Sequence, residues 1–157
     1  MIRTTIKSVG GPASIRKAMR REIKAALAEA GISWHRVILP QHFQIRAEKR
    51  YGYQPRDPDY ARGKAKRKGH RRPLVYTGAL EYAVTAAARV SGSSRRANVR
   101  LSGPRYLYAY RKDVSQPDKA AELTAVDQSD ERFVGAILDS HVTKRFRENR
   151  EVEIIRG

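Results

Sequence analysis

Two long stretches of the chain repeat apolar residues at helical spacing, and one repeats them at strand spacing. Over residues 12–30, Ile15, Met19, Ile23 and Leu27 fall four apart, and Ala18, Ala26 and Ala30 widen the stripe. Arg16, Lys17, Arg20, Arg21 and Lys24 fill the other face. That pattern predicts an amphipathic helix with its stripe inward. Pro12 suits the first helical position and Gly31 the left-handed position just past the end. Near the other end of the chain, Phe133, Val134, Ile137, Leu138, Val142 and Phe146 form a second stripe. Asp127 is placed to cap that helix, with Asp130 and Glu131 in its first turn and Lys144, Arg145 and Arg147 at its end, so the charges complement the helix dipole. Gly135, inside it, costs about 1 kcal/mol relative to alanine and is expected to mark close packing.

Between these helices the period falls to two. Val84, Ala86, Ala88 and Val90 alternate with Thr85, Ala87 and Arg89, and Ala97, Val99 and Leu101 alternate within Arg96–Ser102. With the turn residues Ser91–Ser94 between them, these segments predict a β-hairpin. Weaker alternation predicts strands at residues 2–9 (Ile2, Thr4 and Ile6 against Arg3, Thr5 and Lys7), within Pro104–Tyr110 and at Val152–Ile155. Tyr106, Tyr108 and Tyr110 then share one face, as core or subunit interface. Asp113–Pro117 reads as loop.

Ser33 is placed to cap a second helix running to Tyr51, with Trp34, Val37, Ile38, Phe43 and Ala47 inward and Trp34 as a core or interface anchor. Pro40 should kink or break it. Thr77 can cap a helical turn over Gly78–Tyr82. In between, residues 52–73 hold Gly52, Pro55, Pro58, Gly63, Gly69 and Pro73. So many breakers predict an extended loop or arm, with a short helix inside Tyr60–Lys68 as its one regular element. The sum is one α+β domain over 1–157: N-terminal helices, a long basic loop, an antiparallel sheet built on a hairpin, one long C-terminal helix and a terminal strand.

Charge changes this picture most. Lysine and arginine number 33 against 16 acids, a formal net charge of +17. Such a surface attracts polyanions: nucleic acid, or an acidic protein face. The basic residues concentrate at 46–72, while 113–139 is acidic on balance, which permits head-to-tail contact between copies. Arg50, Tyr51, Tyr53, Arg56, Tyr60, Arg62, Lys64, Lys66, Arg67, Lys68, Arg71 and Arg72 are the candidate interface or polyanion-contact residues. Their cations can neutralise phosphates without reading sequence, and the tyrosines can stack on unpaired bases.

Other chemistry is sparse. The absence of cysteine removes disulfides and thiolate metal sites. No window approaches the roughly 18–20 apolar residues of a membrane span, and MIRTTIKSVGG lacks the apolar run of a signal peptide. His35 and His42, with Glu48 nearby, fall short of the three or four ligands a metal site needs. Asp57 and Asp59 invite comparison with a nuclease metal pair, but lie between prolines among cations, where charge neutralisation accounts for them. No phosphate-binding glycine loop, dinucleotide fingerprint or nucleophile elbow occurs. No catalytic, cofactor-binding or metal residue is assigned, and no enzyme activity is expected.

One ordered set of residues does resemble a known group. Trp34-His35, Pro40-Gln41-His42-Phe43, Arg50-Tyr51-Gly52-Tyr53-x-Pro55-Arg56, Tyr60, the Lys/Arg run with Gly69, and Pro73-Leu74-Val75-Tyr76-Thr77-Gly78-x-Leu80 resemble tailed-bacteriophage neck proteins of the head–tail joining, tail-completion and minor tail kinds. Ala120–Leu138, with Glu122, Asp127 and Glu131, and Glu151-Val152-Glu153-Ile154 are similar too. The resemblance implies a structural virion protein that forms a ring in the phage neck or at the head-proximal end of the tail. It implies a hexameric ring, with a twelvefold ring as second choice, touching adjacent connector and tail proteins and surrounding DNA without sequence specificity. It implies no cofactor, enzyme activity or membrane. The alternative from the residues alone is a small basic nucleic-acid-binding protein that uses residues 46–72 as a phosphate clamp.

Overall fold

A computed structural model describes residues 12–107 and 117–148. The strands expected at 2–9 and Val152–Ile155, Tyr108 and Tyr110, and all of the Asp113–Pro117 loop but Pro117 lie outside the described residues. The first helix, α1, spans Pro12–Ser33 and runs straight through Gly31. Gly31 is therefore not the left-handed stop that its position suggested. A Cβ there would lie 2.9 Å from Val90 Cγ1 and 3.3 Å from Val99 Cγ2. The residue is glycine because the hairpin presses on the helix at that point.

Beyond Ser33 the chain stays helical but changes its winding. A π-turn covers Trp34–Ile38 and a 3-10 turn covers Leu39–Phe43. Ser33 keeps helical angles and caps nothing. Pro40 has no N–H to offer, and the π-turn and 3-10 turn meet beside it, with the Leu39 N–H donating to the Trp34 carbonyl. Gln41 Nε2 donates to the Val37 carbonyl at 2.9 Å. The expected kink at Pro40 is thus a change of pitch, as such interruptions of the ladder usually are.

A short helix α2, Ala47–Tyr51, ends at Gly52, and α3 occupies Pro58–Lys68. Half of the segment read as an extended loop is therefore a helix. Its ends are well made: the Asp57 side chain accepts the Tyr60 N–H, Pro58 opens the first turn, and Gly69 closes the last in the left-handed conformation. Asp57 is thereby a cap. Helix α4, Ala79–Ala86, starts from Gly78 at φ 83° and is longer than the expected turn. Thr77 Oγ1 accepts the Ala79 N–H at 3.4 Å. Val84 and Ala86, read as strand, belong to this helix because Leu80 and Val84, one turn apart, both point into the core.

The hairpin is correspondingly shorter. Strands β1 (Ala88–Gly92) and β2 (Ala97–Leu101) pair antiparallel, with Val90 opposite Val99 and Arg89 opposite Arg100. Arg105–Leu107, expected to be partly strand, is a 3-10 turn. Asp118 caps a short α5, Lys119–Leu123, and α6 runs Gln128–Glu148. Asp127 accepts the Asp130 N–H at 2.8 Å, the cap its position predicted. The described residues thus hold six α-helices and one two-stranded antiparallel sheet, an α+β arrangement in which α1 lies against the hairpin and also against α6.

The main core joins Leu39, Phe43, Val75, Leu80, Val84, Leu107 and Leu123, with Trp34 packed against it. A second cluster holds Ala47, Tyr51 and Tyr53, and Leu74 touches both clusters. The helical stripes are less buried than their periods implied. Ile15 and Met19 are about half exposed, and Ala26, Ala30 and Gly31 are buried positions of α1. Phe133 and Val142 are exposed on α6, and the Gly135 position faces open space.

Candidate functional site

The twelve candidate contact residues divide into two groups that face opposite ways. Tyr60, Arg62, Lys66, Arg67 and Lys68 are exposed on α3, and Arg71 is exposed just after it. Arg62 pairs with Asp59 one turn away, and Lys68 Nζ lies 4.7 Å from the centroid of the Tyr76 ring. Arg50, Tyr51, Tyr53, Arg56, Lys64 and Arg72 turn inward, and there they hold the fold together.

Arg56 donates two hydrogen bonds to the Glu122 carboxylate, at 2.8 and 2.5 Å. The two side chains are 17% and 7% exposed, so the pair is largely removed from water. Arg50 is a hub. Its Nε donates to Asp127 at 2.5 Å, and its terminal nitrogens reach Asp130, Ser129 and Gln41. Asp130 is 1% exposed, so Arg50 supplies the charge that makes this burial tolerable. The Asp127 carboxyl is held well below the usual carboxylate range, first of all by its hydrogen bond from Arg50. Arg72 Nε donates to the Phe43 carbonyl at 2.8 Å, and its guanidinium pairs with Glu81. Lys64, 7% exposed, donates to the Arg72 carbonyl at 2.5 Å. Burial pushes its pKa below the usual lysine value.

Three carboxylates of the acidic stretch thus meet this chain's own basic residues. Glu122, Asp127 and Asp130 are taken up by Arg56 and Arg50. These partners lie 66 to 80 residues apart in sequence.

Within this knot sits a histidine with a structural role. His42 is fully buried and stacks on Tyr51 with centroids 3.9 Å apart and planes 9° from parallel. Its Nδ1 lies 3.1 Å from the Glu122 carbonyl oxygen and 2.5 Å from the Tyr53 hydroxyl. A carbonyl only accepts, so the bond to Glu122 puts the ring proton on Nδ1. Nε2 is left without a hydrogen bond, as is the Tyr51 hydroxyl. Burial pushes both tyrosine phenols above their usual pKa, and the Asp130 carboxylate adds to the effect on Tyr51. Aromatic residues near basic ones read equally as a stacking platform or a core. Here Tyr51 and Tyr53 are core, and Tyr60 alone of the three tyrosines is exposed.

Burial lowers the pKa of His42 from 6.5. The unfolded chain therefore binds a proton more readily than the folded one at this position. The His42 contribution to stability is complete above about pH 6.5 and declines as pH falls through that value toward the lower folded pKa. Melting temperature should thus drop between pH 7.5 and pH 5, and His42→Phe should flatten that part of the profile. An unchanged slope in the variant would place the acid sensitivity elsewhere.

His35, the other histidine of the sequence pair, has Nε2 2.9 Å from the Val84 carbonyl and joins the π-turn to α4. No group of three or more histidine, aspartate or glutamate side chains suited to a metal ion occurs among the described residues. No helix among them is long and apolar enough to cross a membrane. No family model, curated protein or solved structure matches the chain.

Proposed function

We propose that this chain is a structural subunit of the tailed-phage neck, forming a ring at the head–tail junction or the head-proximal end of the tail. The ring is hexameric on the first reading and twelvefold on the second. It surrounds the DNA channel and contacts the adjacent connector and tail proteins within the virion. The reading assigns the chain no catalytic role and no cofactor.

The observation that carries the reading is the ordered resemblance, together with where its residues lie. His42, Phe43, Arg50, Tyr51, Tyr53, Arg56, Val75, Leu80, Glu122 and Asp127, scattered over 86 positions, build the two buried clusters and the ion pairs that tie to them. A residue set that builds an interior is the kind of likeness a shared fold would leave. Beside that interior, α3 is capped by Asp57 and tied through Lys64 to the Arg72 carbonyl, with Arg62, Lys66, Arg67 and Lys68 outward. A basic helix presented in this way suits contact with an acidic face of a neighbouring ring.

That outward helix also favours the second reading, a phosphate clamp, with Arg62, Lys66, Arg67, Lys68 and Arg71 as the contacts. Light scattering at physiological salt, with negative-stain images, separates the two. The neck reading expects closed rings and weak binding of free DNA. The clamp reading expects a monomer whose log affinity falls steeply with log salt. In the variant Arg62→Ser/Lys66→Ser/Arg67→Ser/Arg71→Ser, the clamp reading expects that slope to shrink by roughly 0.9 for each phosphate no longer neutralised. The four side chains are exposed, so the variant should melt within a few degrees of the parent.

A further inference from the structure

The hairpin is an unfinished sheet. Two strands alone are marginal in water, and β1 has no strand on its outer edge among the described residues. The face turned to α1 carries Ala88, Val90, Val99 and Leu101, all of them only half-buried. The opposite face sets Arg89 directly across from Arg100, both exposed, a like-charge pair that destabilises the ladder. An added strand on β1 would have to bring apolar residues to the first face and carboxylates to the second.

One segment of this chain has that alternation. Glu151-Val152-Glu153-Ile154 places Glu151 and Glu153 on one face and Val152 and Ile154 on the other, with Ile155 following on the glutamate face at the segment's end. The alternating segment at residues 2–9 would instead set Arg3 and Lys7 against the two arginines. We infer that the edge of β1 receives residues 151–155 of a second copy of the chain, Val152 and Ile154 toward α1 and the two glutamates toward Arg89 and Arg100.

Reach decides that the donor is a second copy. Helix α6 packs along α1 and has no comparable contact with either strand. From Glu148 to Glu151 the chain spans at most about 10 Å. Helix α6 starts beside Arg50 and Gln41, past the end of α1, and packs along α1, so its far end runs toward the start of α1, whereas the hairpin meets α1 at Lys24–Gly31, further off than that reach. Donor segment and acceptor edge are different surfaces, so the contact is head-to-tail and propagates to a ring when its rotation closes. The inference rests on the ring reading and names its subunit contact.

The chain has no cysteine, so an introduced pair reports on its own. Ser91 is exposed on β1, beside Arg89 on the charged face. Ser91→Cys/Glu151→Cys and Ser91→Cys/Glu153→Cys, mildly oxidised, should give a covalent ladder between chains in one of the two variants. It should form at least about tenfold faster than in the control Ser91→Cys/Asp139→Cys, as held proximity requires. Deleting residues 151–157 should abolish assembly and leave the melting temperature of the subunit unchanged. If the parent assembles, the deletion variant assembles equally and no ladder forms, strand donation is wrong while the ring reading stands. A cross-link closed within one chain overturns the second-copy donor. A parent that stays monomeric at every concentration and gives no ladder overturns both.

Discussion

Arg56→Ala should lower the free energy of unfolding by about 3–5 kcal/mol, the usual loss when one partner of a buried ion pair is removed. The Glu122 carboxylate, 7% exposed in the parent, would lose both its hydrogen-bond donors. Domains of this size are stable by about 5–15 kcal/mol, so the loss is a large share of the whole. Urea titration measures the loss directly. Arg56→Met/Glu122→Leu should lose much less than Arg56→Ala, because it removes the stranded charge together with its partner. A loss below about 1 kcal/mol in Arg56→Ala would mean that water screens the pair as it does on a surface. The outcome also bears on function. Arg56 was a candidate polyanion contact, and in its observed place its charge is already paired with the Glu122 carboxylate.

Arg50→Ala should lose a similar amount, about 3–5 kcal/mol, since Asp130 would remain buried without its cation. Arg50→Lys is the sharper variant. The Arg50 fork serves Asp127, Asp130, Ser129 and Gln41 from three nitrogens. A lysine ammonium is a single point charge and cannot reach all four, so the substitution should recover only part of the loss. Full recovery would reduce the hub to a matter of net charge. The same tie should weaken in acid. The folded Asp127 pKa is depressed, so its contribution is complete above the unfolded value of about 3.9 and is lost as pH falls below it. Melts taken between pH 5 and pH 2 should therefore be steeper in the parent than in Arg50→Ala.

The longest helices were legible because their periods persist for twenty residues; their burial was not. Ile15 and Met19 keep perfect helical spacing and are still half exposed, since spacing fixes a face and only a neighbouring element can cover it. Helix α3 was obscured by its own punctuation. Pro58 and Gly69 read as breakers when counted, but they stand at the first turn and the left-handed end, where helices use them. Only Gly63 lies inside. The hairpin's start was ambiguous because Val84 fits both a strand alternation and a turn of helix with Leu80, and the core beneath α4 chose the helix. The division of the basic residues could not be read at all. Nothing local distinguishes Arg56 from Arg62, because the carboxylate that turns Arg56 inward lies 66 residues further on.

The distance between those partners has a consequence for synthesis. Arg50, Arg56 and His42 are made early, and the groups that satisfy them, at Glu122, Asp127 and Asp130, arrive 66 to 80 residues later. Contacts of such span close slowly, and a growing chain cannot form them until those residues have left the ribosome. During that interval the nascent protein carries its inward arginines beside its outward ones, next to the densest RNA in the cell. Folding here is also the step that withdraws part of a basic surface from competition for nucleic acid, and a chain stopped short of residue 118 would never complete it.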